Sequence, residues 1–229
     1  MIMKIRVSGL RVNKISDVTN SGLVHGVSLN FISGTPDCLQ TIPTGVGCMP
    51  DTAPHIHPND GEDTLYALSR PKIIGVFDSE MAQSIIARIH LFHLDGIQFQ
   101  GEISTILLDN LRRTLVPDIC PEIMIVKYLS GDCLQMEKQC DKYKECADAF
   151  LLDCSSDIAI LHTHHFLEEL GSEGLSTPFF IRVTPDAERV EACLDQVAHP
   201  LFEGIDIDFS LLKDDVNVLS VLREINGSL

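Results

Sequence analysis

Ser8 is the first residue in the chain whose type and position could support chemistry. It ends the apolar run that begins at Ile5, and Gly9 follows it directly. This pattern predicts a buried strand that ends on a hydroxyl, and in an α/β barrel the carboxyl ends of the strands line the active-site mouth. A serine hydroxyl becomes a nucleophile or a base when another side chain removes its proton, so Ser8 is a candidate catalytic residue.

Other polar side chains lie on predicted strands with the parity that would point them into a barrel. They are Arg6, Gln98, Gln100, Lys127, Asp153 and Asp206. Such residues form either a catalytic set or a structural ion network, because a buried charge is costly unless it is paired. Asp153 and Lys127 lie at strand ends, where both interpretations stay open.

Histidines offer a different kind of candidate. His55 and His57 lie in a long loop, and His162, His164 and His165 lie close together further along the chain. Paired histidines with carboxylates are the ligand type of metal-dependent hydrolases, although solvated histidines are commoner. We therefore predict no metal and no other cofactor, and we expect His164 and His165 to start a helix. A metal-dependent enzyme built on His55 and His57 is kept as an alternative.

Alternating strands and helices must position these residues. Eight apolar runs predict strands, and they are Met3 to Ser8, Leu23 to Phe31, Lys72 to Phe77, Leu94 to Gln100, Glu122 to Tyr128, Asp148 to Asp153, Phe179 to Val183 and Gly204 to Phe209. Stretches of helical period alternate with them, and they are Ile15 to Asn20, Gly61 to Leu68, Ser79 to Leu91, Ile103 to Leu115, Asp132 to Cys146, Leu161 to Leu170, Pro185 to Val197 and Lys213 to Ile225. Eight such units predict a single (β/α)8 TIM barrel over residues 1–229, since a doubly wound open sheet would show fewer units and a glycine-rich first turn.

Helix starts and one long loop complete the predicted layout. Helix-start chemistry occurs at Asp78 to Glu80, at Ser130 to Asp132, and at Thr184 to Asp186, where Pro185 would take the first helical position. The segment Ile32 to Asp60 follows the second strand, and by direction it belongs to the barrel mouth. Loops of that length are often functional, and whether this one closes as a lid is left open.

Composition limits the partners and the location. The 33 acidic residues exceed the 17 basic ones and give a formal charge of −16, which argues against nucleic acid or anionic lipid as a partner. No apolar run approaches the ~20 residues of a membrane span, and the first residues are too charged for a signal peptide, so a cytoplasmic protein is predicted. The eight cysteines form no C-x-x-C pair and are expected to be buried thiols. The oligomeric state is not indicated.

Six segments at strand ends form a recognisable series. They are Arg6 to Leu10, Gly26 to Gly34, Ile97 to Gly101, Ile125 to Lys127, Leu151 to Cys154 and Ile205 to Ile207. In order and spacing they resemble the phosphoribosylanthranilate isomerase family over essentially the whole chain. The family's first strand ends K-I-C-G, its second is followed by S-x-R, its fourth reads V-Q-L-H-G and its sixth reads L-L-D-T. The resemblance implies an isomerase of tryptophan biosynthesis that performs an Amadori rearrangement of a phosphoribosyl amine.

The resemblance also implies roles for individual residues. Asp153 matches the general acid that acts on the ribose ring oxygen, and Ser8 stands where the family has the cysteine that acts as general base. Lys127 would support the acid, and Arg182 would help to hold phosphate. A small molecule would therefore bind at the C-terminal mouth of the barrel. The residues expected to bind it are Arg6, Gln100, Lys127, Arg182 and Asp206.

Several positions depart from the family's motifs. Serine is a much weaker base than a thiol of pKa about 8.5, so Ser8 does not replace the cysteine on its own. Residues 33–35 lack the arginine of S-x-R, and Gln100 replaces the histidine of the fourth strand. The S-G-G turn after the seventh strand is absent from residues 181–185, and Asp208 falls where the eighth strand would cradle phosphate. These departures argue against retained isomerase activity.

Three functions of different class follow. The first is a divergent phosphoribosylanthranilate isomerase homologue that uses Asp153. The second is a descendant without that activity, which binds another small molecule or a protein at the same mouth. The third is the metal-dependent enzyme of His55 and His57. The sequence leaves open whether the protein is an enzyme.

Overall fold

Parallel strands close into a barrel. The computed structural model describes residues 3–39, 41–44, 47–50, 70–194, 197, 199–212 and 216–228. Its strands are β1 (Lys4–Ser8), β2 (Gly26–Asn30), β3 (Thr41–Thr44), β4 (Gly47–Pro50), β5 (Lys72–Phe77), β6 (Gly96–Phe99), β7 (Met124–Leu129), β8 (Ala149–Asp153), β9 (Phe179–Val183) and β10 (Phe202–Asp208). Eight of them pair in the closed order β1-β10-β9-β8-β7-β6-β5-β2. The predicted (β/α)8 barrel is confirmed, and the eight predicted strands all occur.

Helices follow the barrel strands and cover the outside of the sheet. Within the described ranges they are α1 (Val12–Thr19), α2 (Ala82–Phe92), α3 (Thr105–Asp118), α4 (Cys133–Tyr143), α5 (Asp157–Gly174), α6 (Ala187–Leu194) and α7 (Val218–Ser228). Each overlaps a predicted helix. The remaining predicted helix, Gly61 to Leu68, lies outside the described residues.

Helix starts were predicted with mixed success. Asp132 caps α4 in a capping box with Gln135, as the sequence indicated. Helix α2 instead begins after Met81, whose side chain makes no cap hydrogen bond. The prediction that His164 and His165 start a helix is wrong, because Ser156 accepts the backbone N–H of Ala159 and starts α5 earlier.

The start of α6 also differs from the prediction. Pro185 precedes this helix and does not occupy its first position, since α6 begins at Ala187. Asp186 serves as the cap, because its carboxylate accepts the backbone N–H of Arg189 at 3.0 Å.

Two apolar shells stabilise the barrel. The larger shell lies between the sheet and the helices, and it includes fully buried residues such as Phe31, Phe77, Phe99, Phe150 and Phe179. A smaller cluster lies on the inner face of β7, β8 and β9 and consists of Val126, Ala149, Leu151 and Phe180, with Met124 and Tyr128 packed against it. Apolar side chains therefore fill one part of the barrel interior and leave the rest to polar residues.

The segment Ile32 to Asp60 contains a hairpin that was not predicted. Strands β3 and β4 pair antiparallel within it, with Ile42 opposite Met49. Most of the remaining segment lies outside the described residues, so its role as a lid stays a prediction, as does a single domain over the whole of residues 1–229. No helix in the described part of the chain is long and apolar enough to cross a membrane.

Candidate functional site

A row of alternating charges crosses four neighbouring strands on the inner face of the barrel. Arg6 on β1 is in register with Asp206 on β10, Asp206 with Arg182 on β9, and Arg182 with Asp153 on β8. Paired residues of neighbouring strands point to the same face of a sheet, so these four side chains, here called the charged row, share the inner face. The inward parity predicted for Arg6, Asp153 and Asp206 is confirmed, whereas their roles as site residues stay predictions.

Arg6 lies at the inner end of the charged row. Its guanidinium donates to the side-chain oxygen of Gln98 at 2.7 Å and to the Ser28 hydroxyl at 3.5 Å. The same group lies over the ring of Phe180, with 5.0 Å between Cζ and the ring centroid. Burial lowers the pKa of Arg6, and the charge of Asp206 offsets this only in part.

Arg182 joins two carboxylates near the mouth. Its Nη2 lies 3.4 Å from Oδ2 of the fully buried Asp206, and its Nη1 lies 3.9 Å from Oδ2 of Asp208. The guanidinium also covers the ring of Tyr128, with Cζ 4.8 Å from the centroid. Burial alone would lower the pKa of Arg182, but the two carboxylates outweigh burial and raise it.

Several polar atoms of the barrel interior lack a protein partner. Among the described residues, buried side-chain atoms without a hydrogen bond are Arg6 Nε and Nη1, Ser8 Oγ, Gln98 Nε2, Arg182 Nε and Asp206 Oδ1. All of these residues share the inward parity of the charged row. A buried polar group without a partner costs about 1–3 kcal/mol, so each of these atoms lowers the stability unless a water or a ligand group bonds to it.

Asp153 lies at the outer end of the charged row, at the mouth. The carboxylate is half-buried and accepts the backbone N–H of Ser155 at 3.0 Å. The Asp153 backbone is fixed as well, since its carbonyl accepts the Thr163 hydroxyl at 2.8 Å. Burial and the neighbouring Asp153 charge raise the pKa of Tyr128, so this phenol stays protonated beside the carboxylate. Tyr128 was not predicted as a site residue, because the sequence prediction placed its neighbour Lys127 on the inner face.

Ser8 and Asp208 end neighbouring strands at the mouth. The Ser8 hydroxyl is buried without a hydrogen-bond partner among the described residues, so nothing described there removes its proton. Oδ1 of Asp208 accepts the backbone N–H of Ser210 at 2.9 Å. Gly9 makes this close approach possible, because a Cβ there would lie 2.2 Å from the Ser210 nitrogen. The Asp208 carboxylate is thus hydrogen-bonded to the backbone N–H of Ser210, just beyond the end of β10.

Lys127 lies on the other side of the sheet. Gln98, which bonds to Arg6 inside the barrel, is in register with Val126, so the next residue along β7 points outward. The Lys127 ammonium donates to the Tyr128 carbonyl at 2.7 Å and lies 5.1 Å from the ring centroid of Tyr143 on α4. Burial lowers the pKa of Lys127 to about 8. The predicted inward parity of Lys127 is therefore wrong, because the assumed parity of β7 was off by one residue.

Gln100 and the loop after β2 make mainly local contacts. Gln100 is half-buried just beyond β6, and its backbone N–H bonds to the Phe77 carbonyl at 2.9 Å. Its role in binding a substrate stays a prediction. Asn30 at the end of β2 holds the following turn, since its amide donates to Thr35 at 2.9 Å and to Asp37 at 3.0 Å.

Potential metal ligands occur in two places. His55 and His57 lie outside the described residues, so the alternative built on them stays a hypothesis. On the outer surface, by contrast, ligand atoms of Cys133, His165 and Glu169 all lie within 4.8 Å of one another. This cluster lies on α4 and α5, on the outer side of the sheet.

The closed sheet and the charged strand ends define this protein as a (β/α)8 barrel with a polar C-terminal mouth. No protein-family model matches the sequence, and no curated protein sequence matches it significantly. Solved structures are similar in fold. A monomeric form of phosphoribosylanthranilate isomerase from Thermotoga maritima gives a TM-score of 0.68 at 14% identity, covering 99% of this chain and 98% of that chain.

Two further structures help to judge what this likeness means. A phosphoribosyl anthranilate isomerase in complex with reduced 1-(o-carboxyphenylamino)-1-deoxyribulose 5-phosphate gives a TM-score of 0.68 at 14% identity, covering 99% of this chain and 98% of that chain. Orotidine 5'-monophosphate decarboxylase from Methanocaldococcus jannaschii, complexed with the inhibitor BMP, gives 0.58 at 12% identity and covers 100% and 99%. Because a different enzyme shares the fold, the likeness shows the barrel and leaves the activity to the site.

Proposed function

We propose that this chain is a phosphoribosylanthranilate isomerase-like barrel that binds a small molecule at its mouth and has lost the Amadori rearrangement. The observation that carries the proposal is the position of Asp208. Its carboxylate accepts the Ser210 backbone N–H and faces Arg182 at 3.9 Å. These are the donors that a phosphate at this mouth would need, and a second anion beside Asp208 would be repelled.

The surroundings of Ser8 support loss of the reaction. The resemblance puts the general base at this position, and a hydroxyl can act as a base only when a neighbour takes its proton. The Ser8 hydroxyl is buried and has no such neighbour in the described ranges. At the position of the general acid, Asp153 keeps a carboxylate. The general acid of the family is therefore retained here, whereas its general base is replaced by Ser8.

The charges at the mouth indicate what kind of ligand would bind. Asp153 and Asp208 are half-buried carboxylates, and the nearby cation Arg182 is already paired with Asp206 and Asp208. Such a mouth favours a ligand with hydroxyl or amino donors over a phosphate dianion. We therefore expect an unphosphorylated polyol, sugar or amine to bind, with Asp153 as an acceptor. The cytoplasmic location and the absence of a nucleic-acid or membrane partner stay predictions from sequence.

Two assays test the proposal. Loss of fluorescence of phosphoribosylanthranilate should be absent with the wild-type protein, and turnover that Asp153→Asn abolishes would contradict the proposal. In thermal-shift titrations, wild type should respond to members of a polyol, sugar and amine panel, and Asp153→Asn should lose that response. Glu203→Gln, which changes a carboxylate at the opposite end of β10, is the matched control and should keep it. A wild-type protein that responds to none of the panel would contradict the binding half.

A second candidate is a protein that keeps isomerase activity. It is favoured by the half-buried carboxylate of Asp153 at the strand end where the resemblance puts the general acid. In this case Ser8→Cys should raise turnover of phosphoribosylanthranilate by at least tenfold, because a thiol restores the missing base. If Ser8→Cys showed no turnover, even in combination with Asp208→Gly, this candidate would be contradicted. The likeness to the isomerases would then indicate common ancestry alone.

A further inference from the structure

We propose that Cys133, His165 and Glu169 form a binding site for a zinc-type divalent cation on the outer surface of the barrel, between α4 and α5. The proposal is independent of the function of the mouth. It rests on the geometry of three donor atoms of different type, which two helices bring together.

The distances are close to those around a single tetrahedral ion. Sγ of Cys133 lies 2.9 Å from Oε2 of Glu169, Nε2 of His165 lies 3.5 Å from Oε1 of Glu169, and the three ligand atoms all lie within 4.8 Å of one another. Ligand atoms around tetrahedral zinc with sulfur, nitrogen and oxygen donors are about 3.3 to 3.6 Å apart. Small side-chain rotations therefore suffice to bring the three atoms onto one ion.

The backbone on both sides of the cluster is held in place. Cys133 is the first residue of α4, directly after the Asp132 capping box, which fixes the start of that helix. His165 and Glu169 are one turn apart on α5, so their side chains share a face. The two helices contact each other beneath the cluster, where the Thr163 hydroxyl lies 3.9 Å from the sulfur of Met136.

The donor set selects the class of metal. A thiolate and an imidazole favour zinc and its transition-metal relatives, whereas magnesium and calcium prefer oxygen ligands alone. A free thiol is protonated at neutral pH, because its reference pKa is about 8.5. Binding forms a metal–sulfur bond and releases that proton to solvent. The described residues supply three ligands, which leaves a fourth position for water.

A bound ion would connect the helices that follow β7 and β8. Those strands carry Tyr128 and Asp153, so the ion would brace the side of the barrel on which these two residues meet. A matched control exists on the same helix. His164 and Glu168 have the same spacing, with 3.5 Å between Nδ1 and Oε2, but among the described residues no cysteine joins them in a three-ligand cluster.

Cobalt titration of the chelator-treated full chain tests the site. We expect one equivalent of Co²⁺ to bind with a thiolate-to-cobalt charge-transfer band. Cys133→Ser should abolish the band, and His165→Ala and Glu169→Gln should each weaken binding at least tenfold. His164→Ala should leave the affinity within about twofold of wild type. A missing charge-transfer band in wild type, or the same band and the same affinity in Cys133→Ser, would overturn the proposal.

Thiol alkylation gives a second measurement that needs no variant. Zinc should protect the peptide that contains Cys133 from alkylation in the wild-type protein at least tenfold, because a metal-bound thiolate is shielded and less nucleophilic. Cys120, which is also half-buried but lies just beyond the end of α3, should be alkylated at the same rate with and without zinc. Equal alkylation of Cys133 in both conditions would contradict the site even if a variant failed to fold.

Discussion

The barrel buries cations on both faces of its sheet, but it stabilises them differently. On the inner face, Arg6 and Arg182 flank the carboxylate of Asp206 in the charged row. On the outer face, Lys127 is held by the Tyr128 carbonyl at 2.7 Å and by the ring of Tyr143. Neutral acceptors offset the cost of burying a charge less well than a carboxylate does. Burial therefore lowers the pKa of Lys127 to about 8, whereas the two carboxylates beside Arg182 raise its pKa. Burial also lowers the pKa of Arg6, because the charge of Asp206 offsets it only in part.

This difference separates a candidate site from a structural contact. The charged row leads from the barrel interior to Asp153 at the mouth, and several of its polar atoms have no partner among the described residues. The Lys127 ammonium, by contrast, donates to the backbone carbonyls of Gln100 and Tyr128, and its side chain fills space between β7 and α4. Arg6 and Arg182 therefore keep polar atoms without a partner in the described part of the chain, whereas the Lys127 ammonium is used in local contacts.

Asp206→Asn should have the largest effect, because it removes the carboxylate between two buried guanidinium groups. An uncompensated buried charge costs about 3–5 kcal/mol, so the free energy of unfolding in urea should fall by about that amount. The control is Glu203→Gln, which breaks an exposed salt bridge between β10 and Lys4 on β1. It should change the free energy of unfolding by less than about 1 kcal/mol. A loss below about 1 kcal/mol in Asp206→Asn would mean that the charged row is not held by this carboxylate.

The sequence predicted the barrel well because apolar runs and helical periods are local properties. It also predicted the parity of Arg6, Asp153 and Asp206, since residues two apart on a strand share a face. It misplaced Lys127 and missed Tyr128, because a polar residue in a strand does not reveal the strand's register with its neighbours. The turn at Asp208 could not be predicted, since it depends on the contact between Gly9 and Ser210, which are far apart in sequence.

Lys127→Met should change how stability depends on pH. The folded-state pKa of Lys127 is lowered from 10.5 to about 8, so between these values the unfolded chain binds more protons than the native one. The free energy of unfolding of wild type should therefore rise from about pH 8 to about pH 10.5, by about 3 kcal/mol, and Lys127→Met should lack that rise. Urea unfolding at neutral and alkaline pH measures the difference between the two proteins.

An exposed lysine of α4 provides the control for this measurement. Lys138→Met should keep the wild-type rise, because Lys138 is solvent-exposed. If Lys127→Met showed the same rise as wild type, Lys127 would be as well paired as Arg182 of the charged row. The contrast between the two faces of the sheet would then fail.

Gly9→Ala tests how tightly the mouth end of β1 is packed against β10. Gly9 and Gly22 both have φ of 70°, where an L-residue costs about 1–2 kcal/mol. At Gly22 a Cβ meets nothing within 4 Å, whereas at Gly9 it would lie 2.2 Å from the Ser210 nitrogen and 2.5 Å from Oδ1 of Asp208. Gly9→Ala should therefore destabilise the protein by about 2 kcal/mol more than Gly22→Ala does, measured by urea unfolding. Equal losses would show that the Asp208 turn can move aside to admit another group.

Ser8→Ala should have the smallest effect, and it addresses the residue that ends β1, two positions after Arg6 of the charged row. The Ser8 hydroxyl is buried without a partner in the described part of the chain, so its removal should change the free energy of unfolding by less than about 0.5 kcal/mol or should stabilise the protein. A loss above about 1 kcal/mol would mean that the hydroxyl is hydrogen-bonded in solution. Ser8 would then belong to the hydrogen-bonded polar network that starts at Arg6, and this network would reach the end of β1.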